Sequence, residues 1–157
     1  RYERNKRQIL DNWIESLIDL VDYGKKYNVE IMFENAGEKG EITELKDFKY
    51  IVDRVPDLKV HLDIGHAFIF GKMKNVDKYI ETFRNRIEHI HVHDNHGESD
   101  EHLPIGKGKI NYGSVVRMLK RINYDKTITF EVFKSKKDAV KSREKIKKLW
   151  MKNNLNQ

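Results

Sequence analysis

The chain has 157 residues, of which 38% are hydrophobic, enough for one domain with its own core. Charged residues make up 36%, the net charge is +6 and cysteine is absent, so a disulfide framework and a thiolate metal site are excluded and any metal must be held by His and carboxylates. No run of about 18 apolar residues and no signal-peptide pattern is present, which predicts a cytoplasmic chain with no membrane partner. Abundant Lys, Glu and Ile with scarce Gln is the composition of proteins that work hot.

Taken in chain order, the hydrophobic period switches repeatedly between helical and extended. Ile9, Trp13, Leu17 and Leu20 recur every three or four residues and predict an amphipathic helix. EIMFEN (30–35) is short and β-prone. Leu45, Phe48, Ile51, Val52 and Val55 form a second helical stripe, stopped at Pro56. KVHLDIG (59–65) predicts a strand, and Val76, Tyr79, Ile80, Phe83 and Ile87 a third helix. EHIHVHDN (88–95) is a third strand; Val115, Met118, Leu119 and Ile122 mark a fourth helix beginning near Asn111. TITFEVF (127–133) is a fourth strand, and Ala139, Arg143, Ile146 and Leu149 mark a last helix. Its cluster of Lys134, Lys136, Lys137, Lys141, Arg143, Lys145, Lys147 and Lys148 reads as a solvated face; the alternative is attraction of a phosphate-bearing substrate or a nucleic acid.

The order is therefore a helix followed by four βα units, an α/β chain with a parallel sheet. Strand parity sharpens this. One face reads Ile31 and Phe33; Val60, Leu62 and Ile64; Ile90 and Val92; Ile128, Phe130 and Val132. The other reads Glu30, Met32 and Glu34; His61 and Asp63; His89, His91 and His93; Thr127, Thr129 and Glu131. A doubly wound sheet is apolar on both faces, whereas a barrel wall opens its interior into a site at the C-terminal mouth. Four units make half of a (β/α)₈ barrel, predicted to be the C-terminal half and one domain over 1–157. Either an N-terminal half-barrel is missing or a homodimer partner closes the barrel.

Each predicted strand ends on the inner parity with a candidate metal ligand: Glu34, Asp63, His91 and Glu131. Unpaired carboxylates crowded together repel, and a cation offsets that repulsion. Three carboxylates and an imidazole suit a divalent metal such as Mn, Mg, Co or Zn. Gly106 and Gly108 allow either close approach to a ligand or an ordinary turn, with Lys107 and Lys109 placed to meet a phosphate. His93 shares the inner parity and is predicted to line the mouth, His96 is a loop residue, and His61 and His89 are core-polar residues. Trp13 and Trp150 are predicted to pack within their helical stripes.

The segments FENAG (33–37), HLDIGHAF (61–68), HIHVHDN (89–95), DEHLPIGKGKIN (100–111) and TFEVF (129–133) resemble the last four βα units of the xylose-isomerase-like barrel superfamily. That superfamily includes sugar isomerases and epimerases and also endonuclease IV. The resemblance implies that Glu34, Asp63, His91 and Glu131 hold a metal. It implies that Glu34 and Glu131 act as a catalytic acid–base pair on a sugar or sugar phosphate through a metal-stabilised enediolate, and that His66 contacts the substrate. The endonuclease IV resemblance implies further ligands at His66, Asp100 and His102, zinc, and abasic DNA as partner. A non-catalytic half-barrel remnant is a third reading.

Overall fold

The computed structural model describes residues 2–37, 42 and 44–152. Helix and strand alternate as α1 (Tyr2–Lys26), β1 (Met32–Glu34), α2 (Leu45–Arg54), β2 (Lys59–Asp63), α3 (Ile64–Ile69), α4 (Lys72–Phe83), β3 (Ile87–Val92), α5 (Tyr112–Arg121), β4 (Thr127–Phe130) and α6 (Lys136–Lys152). The strands form one parallel sheet in the order β1-β2-β3-β4. Among the described residues β1 and β4 do not pair with each other, so the wall is an open part of a barrel.

Helical connections cover one face of the sheet. Val60, Leu62, Ile64 and Ile90 are fully buried there against Phe48, Ile51 and Val52 of α2 and Val76 and Ile80 of α4. Phe48 sits at the centre of an aromatic stack, 5.0 Å from Phe33, 5.7 Å from Tyr79 and 5.3 Å from Phe83 between ring centroids. Burying side chains of this size contributes about 1.5–3 kcal/mol each. Arg86 closes the α2–β2 corner, its guanidinium donating to the carbonyls of Val52 (2.7 Å), Val55 (2.8 Å) and Leu58 (2.9 Å) at the C-terminal end of α2.

Several boundaries differ from expectation. The strands are shorter than their hydrophobic patterns, and Ile87 opens β3 instead of closing the preceding helix. The predicted strand through Gly65 stops at Asp63 because the Asp63 carboxylate accepts the His66 N–H at 2.7 Å and caps α3, a short helix not anticipated. In α1 the buried stripe is Leu10, Leu17 and Val21, with Ile14 and Ile18 partly buried, while Trp13 and Leu20 are about half exposed. Trp13 meets the Phe33 ring at 5.3 Å, and Trp150 packs on the core as predicted. The lysines of α6 face solvent; Ser142 and Ile146 are its buried residues.

Candidate metal centre

The inner parity places the four predicted ligands together. Glu34 ends β1, Asp63 ends β2, His91 lies in β3, and Glu131 follows β4, its N–H donating to Val92 O at 3.1 Å. Asp63 and His91 are direct cross-strand partners. His91 Nδ1 lies 3.1 Å from Glu131 Oε1 and 3.5 Å from Glu34 Oε1. Asp63, His91 and Glu131 each offer an atom within 4.8 Å of the others, as do Glu34, Asp63 and His66. The strand ends are locked by Asn35, which donates to Asp63 O (3.0 Å) and accepts the Asp63 N–H (2.8 Å), continuing the sheet ladder through a side chain.

The electrostatics favour a cation. Burial, then the charge of Asp63, push the Glu34 carboxyl up to about 7, with Glu131 and Asp100 acting in the same direction and His66 against it. Burial also pushes fully buried Asp63 upward, but His93 and His66 outweigh it and hold this carboxyl below its ordinary value. Burial lowers His91, which favours the neutral ligand form. Asp63 Oδ2 and His91 Nδ1 are buried without a hydrogen-bond partner. Acceptor atoms that converge and remain unsatisfied are what a divalent ion needs, so the donor set fits one.

A second constellation lies beside the first. His66, His93, Asp100 and His102 each offer an atom within 4.8 Å of the others. The two ring nitrogens of His66 face different groups: Nδ1 meets the Asn35 carbonyl at 2.8 Å and Nε2 faces Asp100 Oδ2 at 3.2 Å. Asp100 and His102 reach the sheet because buried Asp94 organises their loop. Its carboxylate accepts N–H groups of Gly106 (2.7 Å), Asn95 (3.0 Å) and Ile110 (3.1 Å), and its backbone pairs with Leu103. The glycines serve this packing: a Cβ on Gly108 would lie 2.3 Å from Asn95 O, and Gly106 has φ +82°. Lys107 and Lys109 are exposed on the same loop.

His61 and His89 lie on the inner face beside His91, with centroid distances of 3.9 Å (His61–His91) and 5.2 Å (His89–His91). His89 is half-buried and meets the hydroxyls of Thr127 (2.5 Å) and Thr129 (3.0 Å), so it is less enclosed than a core residue. His96 pairs with Glu101 at 3.0 Å in the loop. His93 is the residue whose role the sequence reading understated. It is fully buried in the second constellation, and inner parity two residues beyond His91 was its signal. No helix among the described residues is long and apolar enough to cross a membrane.

The family model of the xylose isomerase-like TIM barrel matches residues 1–153. An uncharacterized protein of Methanocaldococcus jannaschii is 37% identical over 130 residues, which is 83% of this chain and 50% of the relative. A probable endonuclease 4 of Aquifex aeolicus is 30% identical over 128 residues, 71% of this chain and 45% of that protein. A crystal structure titled D-tagatose 3-epimerase-like protein superimposes with a TM-score of 0.85 at 36% identity, covering 93% of this chain and 56% of that one. The chain thus spans about half the length of the curated relatives it matches. On sequence and architecture together, the chain belongs to the xylose isomerase-like TIM barrel family.

Proposed function

We propose that these residues are the C-terminal four βα units of a divalent-metal-dependent sugar or sugar phosphate isomerase or epimerase. The observation that carries this reading is the convergence of Glu34, Asp63 and Glu131 around His91 with Asp63 Oδ2 and His91 Nδ1 left unsatisfied. Glu34, Asp63, His91 and Glu131 would hold the ion, which supplies Lewis-acid polarisation of a substrate carbonyl. Glu131, just after the adjacent strand β4, and Glu34, at the end of β1 two strands away, approach His91 from opposite sides. A ketose placed between them has one carboxylate on each side of its ring-opened carbon chain. One carboxylate takes the proton from the carbon next to the carbonyl. Return of a proton by the second carboxylate to the opposite face inverts that carbon; return to the former carbonyl carbon, with the neighbouring hydroxyl's proton passing to the former carbonyl oxygen, moves the carbonyl. His66, at the mouth, would contact substrate hydroxyls, and Lys107 and Lys109, both exposed, would contact a phosphate. A second half-barrel, in the same polypeptide or from another copy, supplies the remaining loops of the pocket.

Epimerisation of ketoses in the presence of Mn²⁺ or Co²⁺ tests this reading. Glu131→Gln is expected to lower turnover at least about 100-fold even when assayed at metal concentrations that restore full occupancy, the scale of a lost general acid or base. Full turnover by that variant excludes the assignment. A second reading, an abasic-site phosphodiesterase, is favoured by the approach of His66, Asp100 and His102 and by the relative named endonuclease 4. Nicking of abasic duplex DNA without epimerisation selects it, and full metal uptake with neither activity selects a non-catalytic scaffold.

A further inference from the structure

We propose that the cleft between the start of α5 and the second half of α6 binds a small amphipathic anion, a phosphate or carboxylate head joined to a short apolar body. The cleft shares no residue with the metal centre, so the inference is independent of the sugar reading.

The cleft encloses about 420 Å³, within the range of about 300–1,000 Å³ common to small-molecule sites. Its wall is mostly apolar. Ile105 and Ile110 are buried members of the core, and Leu149 packs against it. Side-chain hydrogen bonds fix the shape of this floor. Buried Asp94 accepts the N–H groups of Gly106 (2.7 Å) and Ile110 (3.1 Å), and the Ile105 N–H donates to Ser142 Oγ of α6 at 3.1 Å. Loop and helix are therefore pinned to one another, and the space between them is part of the packed structure.

The rim is cationic. Lys145, Lys148 and Lys152 recur at steps of three and four, which sets them on one face of α6, and all three line the cleft. Like charges at this spacing repel. Glu144 is the only acid between residues 139 and 152, and Arg143 holds it at 2.8 Å. Neither Lys148 nor Lys152 has an ion-pair partner among the described residues. Lys145 donates one proton to Ile105 O at 2.6 Å and keeps two. The opposite wall adds a positive pole, because α5 has no acidic residue in its first turn. There the Tyr112 N–H donates to Ile110 O, and those of Ser114 and Val115 donate to Asn111. The N–H of Gly113, which lines the cleft, has no acceptor among the described residues. A free N–H at this end of a helix favours an anion.

Floor and rim together select the ligand class. Inorganic phosphate would leave the isoleucine and leucine surface in water, and a neutral hydrocarbon would leave the lysines unpaired. A sugar phosphate is polar throughout and gains nothing from the floor. A nucleic acid would engage the exposed Lys136 and Lys147, on the other side of α6, as readily as the cleft. An anionic head on an apolar body answers both parts at once, the head between the lysines and the Gly113 N–H, the body on Ile105, Ile110 and Leu149.

Calorimetric titration of the full chain with naphthyl phosphate and with naphthoate tests this, and the comparison of the two shows which head is preferred. One site per chain is expected, with Kd below about 1 mM for a ligand of this size. Inorganic phosphate and neutral naphthalenemethanol are expected to bind at least about 10-fold more weakly than the better probe. The double variant Lys148→Glu/Lys152→Glu, at exposed positions that leave the core intact, is expected to weaken that probe at least about 10-fold. Lys136→Glu/Lys147→Glu makes the same charge change off the cleft and is expected to leave Kd within about twofold. Equal losses in the two double variants would mean general charge attraction and overturn the proposal. So would inorganic phosphate binding as tightly as the probes, or no saturable binding of either probe. Binding is expected to be unchanged in Asp63→Asn; its loss there would place the probe at the metal centre and equally overturn the proposal.

Discussion

The two faces of the same four strands differ in burial and in how their groups are satisfied. On the outer face Val60, Leu62 and Ile90 are fully enclosed by apolar side chains of the helices. On the inner face Asp63 and His93 are just as enclosed, yet Asp63 Oδ2, His91 Nδ1, His61 Nε2 and both nitrogens of His93 have no hydrogen-bond partner. Burial of an apolar group is favourable by itself, whereas burial of a polar one is favourable only with a partner. Stability is therefore held by the outer face unconditionally and by the inner face on condition of a ligand.

The largest expected effect breaks the outer face. Phe48→Ala is expected to lower the free energy of unfolding by about 3–5 kcal/mol in a denaturant titration, with metal uptake per folded chain unchanged. A parallel loss of metal binding would mean the two faces are not separable. Next, divalent ion is expected to stabilise the inner face alone. At a concentration 100 times Kd it adds about 2.7 kcal/mol and raises the thermal midpoint, a chelator reverses the gain, and Asp63→Asn abolishes it. Asn retains the cap on α3, so the metal-free variant should melt near the unsubstituted chain.

A smaller effect comes from pH. Burial, with the charges of His91 and His89, holds His61 at about 4, below the ordinary histidine value. The folded chain keeps this ring neutral while the unfolded chain protonates it first. Its contribution is therefore complete above about pH 6.5 and is lost as the pH falls toward 4. His61→Phe should flatten that slope by about 1–2 kcal/mol, its partial exposure weakening the shift. The smallest effect is on the solvated surface, where Lys137→Ala should change stability by less than about 0.5 kcal/mol. Lys107→Ala should raise KM for phosphorylated sugars without altering kcat or metal content.

Much of this was legible in the residue order. Period-two alternation named Glu34, Asp63, His91 and Glu131 because parity survives any detail of tertiary packing, and the strands did bring them together. The stripe Phe48, Ile51, Val52 and Val55 was read correctly for the same reason, being local. Trp13 and Leu20 were misread because a helical stripe defines a face to within about 100° and the neighbour decides which edge of it is covered. Gly108 was ambiguous because its role is contact with Asn95, which no spacing in the loop reveals.

What the sequence determined by itself was the alternation of helix and strand and the inward phase of four acids and imidazoles, since both follow from backbone periodicities that act over a few residues. What only the tertiary structure decided was that His93 joins His66, Asp100 and His102, which the family resemblance had already grouped. This requires Asp94 to fold a loop back so that Asp100 and His102 meet His66 and His93, residues from α3 and the end of β3. Contacts between distant segments depend on packing geometry and the orientation of individual rings, and no local period encodes those.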